Sequence, residues 1–422
     1  MFKFREGRII KNIQNLLRLT LVVLFAATLL TNLSCHKESH KVNMGGLFSI
    51  TGNWATLGVA SRAALQIAIE DINDFYRGND RNVVFTSSVK DTLLEPDLAL
   101  ALLEEFSDSG TNLIIVPMSS AEVSVVKNFA DNNDIVIVSQ SSTAGSLSIA
   151  GDNIFRFSPD DSQEGAAVAE LMLHDGIDSI VPISRDDAGN EGLNIATTSF
   201  FMDAGGNVTE SIKYAPNTMD FSDIVEKLSD LVSEQLEEHD ADQVAVYLAG
   251  FDEVVEIFKL AKDDSVLSTV KWYGSDGVVF SQALLTNEGD SSEFAQSVIY
   301  PNPIFGLNDD MENVWGPVAD EITERTGVVP DAFALSVYDI AWALARAYLN
   351  TENPKDIEAF KDEFVLAAKE LDGITGSTEL NEAGDRKFAN FDFWGVREEN
   401  EIFIWKKVGF FDASNNQITD FE

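Results

Sequence analysis

The chain of 422 residues holds a single cysteine, Cys35, so no disulfide can close within it. The fold must therefore be held by its core, and 45% hydrophobic residues are enough to build one. Histidine is nearly as scarce. His36, His40, His174 and His239 are scattered, without the spacing of a zinc site. Basic residues are few as well: 29 Lys and Arg stand against 70 Asp and Glu, a net charge of −41. Nucleic acid is excluded as a partner, because phosphate contacts need a basic footprint. An anionic lipid surface would repel the body of the chain. The excess acid is spread out, densest from Glu234 to Asp242, and reads as a solvated surface. Neither a G-x-S-x-G elbow nor a P-loop is present. Carboxylate pairs in so acidic a chain carry no information about acid–base catalysis. These absences point away from an enzyme, and they give no reason to expect a cofactor or a metal.

A run long enough to span a bilayer is also lacking. Leu19 to Leu30 is an apolar stretch of about a dozen residues, against the roughly 20 a spanning helix needs. It follows Lys3, Arg5, Arg8, Lys11 and Arg18, which together with it read as an export signal. The stretch closes on Leu33-Ser34-Cys35, which resembles a bacterial lipobox, where the signal is cut before a cysteine whose sulfur carries a lipid anchor. The alternative is an ordinary signal peptide, or an uncleaved anchor, with an incidental cysteine. The lipobox reading makes residues 1–34 a lipoprotein signal peptide and 35–42 a lipidated tether. The five basic residues of the signal stand against one acid, Glu6, so its removal takes the net charge from −41 to −45. The mature protein is expected to be exported and lipid-anchored on the membrane, in the periplasm or at the cell surface.

Beyond the tether, short apolar runs alternate with amphipathic stretches. Strands are predicted at 44–50, 83–89, 113–116 and 135–138, with helices at 55–72, 96–106 and 121–130 between them. A second series follows Pro159, with helices at 163–174, 193–202, 221–232 and 253–261. Its strands are predicted at 179–183, 208–214, 243–248 and 270–273. The runs lack alternation, as strands covered on both faces do. Two βα series of similar size predict an α/β protein with two doubly wound, Rossmann-like sheets. Residues 302–368 read as mostly helical, and 391–405 alternate like antiparallel strands.

Several segments, in order, resemble type I periplasmic binding proteins of the branched-chain amino-acid (Leu/Ile/Val) family. They begin with Gly46-Leu47-Phe48-Ser49-Ile50-Thr51-Gly52 and the helix end Ile69-Glu70-Asp71-Ile72-Asn73. Val116-Pro117-Met118-Ser119-Ser120, Ile137-Val138-Ser139-Gln140-Ser141-Ser142-Thr143 and Phe155-Arg156-Phe157-Ser158-Pro159 follow. Trp272-Tyr273-Gly274-Ser275-Asp276-Gly277, Gly373-Ile374-Thr375-Gly376 and Gly384-Asp385-Arg386 complete the set. The resemblance spans residues 44–410. It implies a Venus-flytrap receptor whose two lobes, joined by three crossovers, close on a small ligand. The expected division is 43–158 plus 302–390 for lobe 1 and 159–301 plus 391–422 for lobe 2, with crossovers near Ser158, Tyr300 and Phe391.

In a doubly wound sheet, ligands bind outside the carboxyl ends of the strands. Ser119 and Ser120 follow one predicted strand, and Ser142 and Thr143 the next. Each pair stands near a helix start, where hydroxyls and free N–H groups could bind a carboxylate; helix capping alone is the competing explanation. The resemblance implies that Asp161 and Asp276 face the ligand's ammonium group. Asp161 could equally be a simple N-cap. The family's tyrosine-glycine pair is missing from Arg185-Asp186-Asp187-Ala188-Gly189-Asn190-Glu191-Gly192. That departure leaves room for a larger ligand, or one contacted by Asp187 and Asn190. Phe251 is expected to compensate in part, with Trp54 and Leu57 at the cleft mouth.

The function this implies is an extracytoplasmic solute-binding lipoprotein, a monomer that captures an amino acid or related small amide or carboxylate. It would deliver that ligand to the permease of an ABC importer. The alternative is a ligand-sensing receptor module that signals to a membrane partner.

Overall fold

The computed structural model describes residues 39–421 except 80, 112, 116–117, 308–310 and 414. The expected signal peptide, Cys35 and the start of the tether lie outside the described residues. Among the described residues no helix is long and apolar enough to cross a membrane. The body of the protein is Val42–Tyr76 with Phe85–Glu422; of the other described residues, 39–41 and Arg77–Val84 make a separate, smaller unit.

The first sheet contains β1 (His40–Phe48), β2 (Val83–Asp91), β3 (Leu113–Ile115), β4 (Val136–Ser139) and β5 (Ile154–Arg156), in the order β2-β1-β3-β4-β5. Its β1–β3, β3–β4 and β4–β5 ladders are parallel. The second sheet is built from β6 (Ser179–Arg185), β7 (Asn207–Val208), β8 (Ile212–Tyr214), β9 (Val244–Ala249) and β10 (Lys271–Tyr273). Its order is β10-β9-β6-β7, with β8 also on β6, and every ladder is parallel. Parallel strands need helical crossovers, and helices follow the strands in both series. All six residues of β9 are buried, which is why its sequence shows no alternation. Two doubly wound sheets are present, as the sequence predicts.

The remaining strands are β11 (Asn302–Phe305), β12 (Asp372–Gly373), β13 (Gly376–Ser377), β14 (Phe391–Glu399), β15 (Ile402–Asp412) and β16 (Gln417–Asp420). β11-β14-β15-β16 form an antiparallel sheet, and β12 pairs with β13. The helices Glu312–Thr326, Ala332–Asn350 and Ile357–Lys369 lie between β11 and β12. Ala332–Asn350 packs on Ala55–Phe75 through faces rich in buried alanine.

Two expectations need correction, and one strand goes beyond them. Residues 302–305 form a strand and not the start of a helical region. Pro303 argues against a central strand, and β11 is an edge strand, where proline is tolerated. The predicted strand 208–214 is two short ones, because β7 and β8 pair with opposite ends of β6. Between them Ser211 turns its hydroxyl to the Asn194 amide, 2.6 Å away. Ile154–Arg156, left without an assignment, is the edge strand β5; three residues are too few for periodicity to register.

Arg156 at the end of β5 anchors the site loops. Its Nε and Nη2 donate to the two carboxylate oxygens of Asp385 at 2.5 and 2.7 Å. Its Nη1 donates to the carbonyls of Ser142 (3.2 Å) and Ala144 (2.8 Å). Both side chains of the pair are 1% exposed. Removing one partner of a buried pair orphans the other charge and costs about 3–5 kcal/mol. Arg156→Ala should therefore lower the unfolding free energy by about that much in urea titration. The Arg156→Ala/Asp385→Ala double variant should lose clearly less than the sum of the two single changes.

Candidate functional site

The carboxyl ends of the two parallel sheets face the same space. From the first sheet come the loops after β1, β3 and β4; from the second come those after β6, β9 and β10. One cavity lies between them, lined by Trp54, Ser119, Ser120, Ser141, Thr143, Asp187, Gly189, Asn190, Leu193, Phe251 and Asp276.

The first-sheet wall is a hydroxyl network. Ser119 is the N-cap of the helix Ser120–Asn132 and forms a capping box with Glu122. Its Oγ donates to Glu122 Oε2 at 2.8 Å, and its N–H donates to the same oxygen at 3.0 Å. Burial raises the Glu122 pKa. Ser120 Oγ and Ser142 Oγ are 3.0 Å apart, and the Ala144 N–H donates to Ser120 Oγ at 3.1 Å. Ser141 Oγ donates to the Met118 carbonyl at 2.9 Å. The Ser142 N–H is taken by Ser139 Oγ at 3.0 Å, and the Ser158 hydroxyl donates to the Ser142 carbonyl at 3.0 Å.

The second-sheet wall is acidic. Asp276, in the turn after β10, is buried and donates its N–H to Glu164 Oε1 at 3.2 Å. Glu164 and Asp161 stand three residues apart on the helix Asp161–His174, so both occupy one face. Burial pushes the Asp161 carboxyl up to about 7, against the hydrogen bond from Thr143 and the charge of Arg156. Burial also raises Asp276 and Glu164, and each is raised further by repulsion from acids beside it. The cap of this helix is Asp160, whose Oδ1 accepts the Ser162 N–H at 3.0 Å. Asp161 is thus free of the capping duty that was its bland explanation. Gly192 explains how the helix Ala188–Asp203 can lie against it: a Cβ there would run into Asp161 Oδ2.

The loop before Ala55–Phe75 closes the cavity. Trp54 has φ 61°, a left-handed conformation that costs a non-glycine residue of order 1 kcal/mol or more. Contacts with the second-sheet side hold it there. Its ring centroid lies 4.7 Å from that of Phe251, and its N–H donates to Asp252 Oδ2 at 3.2 Å. Asn53 Nδ2 reaches Glu253 Oε2 at 3.1 Å. The cavity that remains is about 20 Å³, little more than the roughly 10–15 Å³ a single water needs.

The structure therefore brings Trp54, Ser119, Ser120, Thr143, Asp187, Asn190, Phe251 and Asp276 together, out of the residues expected from the sequence. Three expected residues do not line the cavity. Leu57 is buried in its helix and does not stand at a mouth. Ser142 turns its hydroxyl to Ser120 and is fully buried. Asp161 sits behind Thr143, its N–H bonded to the Thr143 carbonyl at 2.8 Å. Asp187 and Asn190 reach the cavity but are tied to each other: Asp187 caps Ala188–Asp203 and accepts the Asn190 N–H at 3.0 Å. Ser141, Gly189 and Leu193 were missed. Ser141 belongs to the Ser141-Ser142-Thr143 run, and Leu193 follows Asn190 at helical spacing, so a signal for both was present. His174 meets Asp420 at 2.9 Å beside Asp175. That group lies at the surface, and Asp175 already accepts the Tyr273 hydroxyl at 2.5 Å.

Residues 60–399 match the model of the receptor family ligand binding region. The chain belongs to that family. An uncharacterised protein of Methanocaldococcus jannaschii is 27% identical over 398 residues, covering 90% of this chain and 92% of its own. The Leu/Ile/Val-binding protein BraC3 of Rhizobium johnstonii is 21% identical over 377 residues, covering 87% of this chain and 95% of its own. The branched-chain amino-acid transporter substrate-binding protein LivJ of Streptococcus pneumoniae, solved with isoleucine, superposes with a TM-score of 0.68 at 17% identity. It covers 87% of this chain and 99% of its own. The type I periplasmic-binding fold implied by the sequence resemblance is the fold of this ligand-binding region.

The raised carboxyls carry a sign for stability. An aspartate titrates near 3.9 when unfolded, whereas Asp276 is pushed up to about 8 in the fold. The folded state keeps a proton that the unfolded chain releases, so this contribution is full below about pH 4 and is lost as pH rises through about 8. Asp276→Asn removes the group. Its unfolding free energy relative to the unaltered protein should grow across that window by at least about 1.4 kcal/mol, one pKa unit's worth. Urea titrations at pH 4, 6 and 8 measure it, and a constant difference across the series would refute the assignment.

Proposed function

We propose that the protein is an extracytoplasmic solute-binding lipoprotein that captures an amino acid, or a related small amide or carboxylate, and delivers it to an ABC importer. The observation that carries this reading is the opposition, across one cavity, of a hydroxyl wall and the Asp276 carboxyl. Ser119 and Ser120 supply hydroxyls at the start of a helix, a setting suited to a carboxylate, and Thr143 adds one from the loop after β4. Asp276 supplies the counter-group for an ammonium. Ser142 orients Ser120, and Asp161 supports Asp276 from behind. Trp54 and Phe251 form the apolar lid, and the Trp54 Nε1–H, which has no partner, is a donor in reserve. Asp187 and Asn190 fix the start of the helix opposite.

In this reading residues 43–158 plus 302–390 and residues 159–301 plus 391–422 act as two bodies, closing as a monomer over the ligand by a hinge motion. Cys35 carries the lipid that keeps the protein beside its permease. The name BraC3 and the isoleucine in LivJ support an amino-acid ligand. The receptor description of the family supports a second reading, a sensor that uses the same cleft to signal to a membrane partner.

A screen of the twenty amino acids, short amides and small carboxylates by thermal unfolding tests the proposal. At a hundredfold excess over Kd a true ligand adds about 2.7 kcal/mol, and Ser120→Ala or Asp276→Ala should abolish the shift. Silence across the whole panel would sink the transport reading. Separately, Cys35→Ala should move the exported protein from the detergent phase to the aqueous phase on Triton X-114 partitioning.

A further inference from the structure

The second-sheet side of the cleft gathers six acidic side chains: Asp161, Glu164, Asp187, Asp252, Glu253 and Asp276. Two of them share one cation, since Arg185 meets Asp187 at 2.8 Å and Glu253 at 3.5 Å. The other four, Asp161, Glu164, Asp252 and Asp276, form no ion pair among the described residues. The cation whose field reaches Asp161 is Arg156, and that guanidinium is bonded to both oxygens of Asp385. Asp331, at the start of Ala332–Asn350, adds a further negative charge to the field at Asp276.

Hydrogen bonds offset part of this. Asp252 accepts the Ser281 hydroxyl at 2.5 Å and the Trp54 N–H. Gly145 donates to Asp161 Oδ2 at 3.3 Å. A hydrogen bond from Thr143 also reaches the Asp161 carboxyl, whose Oδ1, in a residue 2% exposed, has no partner of good geometry. A buried carboxyl without a counter-charge destabilises a fold. Three of them in one group, beside a cavity, are the arrangement of a functional site and not of a structural one. A neutral amino acid brings one ammonium, and its own carboxylate cancels that charge.

We propose that the ligand of this cleft carries a net positive charge, seating an ammonium or guanidinium at Asp276 with Asp161 and Glu164 behind it. A basic amino acid or a diamine is then the substrate class, in place of an aliphatic amino acid. The inference rests on the cleft being the ligand site, as proposed above. Glu164 is the specificity residue: it lies one turn from Asp161, its Oε1 accepts the Asp276 N–H, and without lining the cavity it holds a carboxyl that can give up its proton when a cation enters. The net charge of −41 works in the same direction, raising the concentration of cations near the surface.

Calorimetric titration of the full-length protein in detergent tests this with L-lysine, L-arginine, putrescine, L-leucine, L-isoleucine and calcium chloride. At least one of the three basic compounds should bind tenfold or more tightly than leucine and isoleucine. Glu164→Gln should shrink that preference several-fold. If this variant fails to fold, as judged by its circular dichroism melt, Asp161→Asn serves for the same comparison. Tighter binding of leucine or isoleucine would overturn the inference and leave the amino-acid transport reading intact. An unchanged preference in both variants would remove the acids as its cause. Calcium binding that blocks the amines would replace an organic ligand with an inorganic cation. No binding by any compound would overturn both this inference and the assignment of the cleft.

Discussion

The contact between Arg156 and Asp385 is the constraint on which the rest of the site depends. It joins positions 229 residues apart, and it is continued by main-chain hydrogen bonds from Arg156 to Gly384 and from Arg386 to Arg156. The third nitrogen of the same guanidinium fixes the carbonyls of Ser142 and Ala144. Turning those carbonyls toward Arg156 fixes Thr143, between them, where it lines the cleft. A buried ion pair contributes little net stability against a well-packed apolar replacement. What it supplies here is geometry, since a planar guanidinium addresses one carboxylate and two carbonyls together.

The two walls are built on different principles. On the first-sheet side the hydroxyls of Ser119, Ser120, Ser141 and Ser142 are each matched by a neighbour. On the second-sheet side Asp161, Glu164 and Asp276 are pressed together away from water, which raises the pKa of each. Hydroxyls satisfy one another without charge, whereas crowded carboxyls favour a proton or a cation, so the second wall is the one whose charge responds to pH.

The sequence disclosed the architecture more readily than the site. Continuous apolar runs such as Val244–Ala249 made the parallel sheets legible, because a strand covered on both faces has no polar positions to disguise it. β5 and β11 were hidden, one by its three-residue length and the other by Pro303 at an edge. Within the site, the Ser119-Ser120 and Ser142-Thr143 pairs were visible because they follow strands at the end where such sheets bind ligands. The direction of each side chain was not visible. That Ser142 faces Ser120, that Asp160 and not Asp161 caps its helix, and that Leu57 turns inward all depend on neighbours distant in sequence. Glu164 drew no notice because one more acid among 70 carries no signal until its burial is known.

Trp54 gives the closed cleft a further property. Its indole, held against Phe251 in a left-handed turn, stands where a guest would otherwise meet water. Contacts with Phe251 and Asp252 hold the strained backbone in place, so parting the two walls would release about 1 kcal/mol or more of backbone strain. That strain opposes closure, and a ligand that touches both walls must offset it.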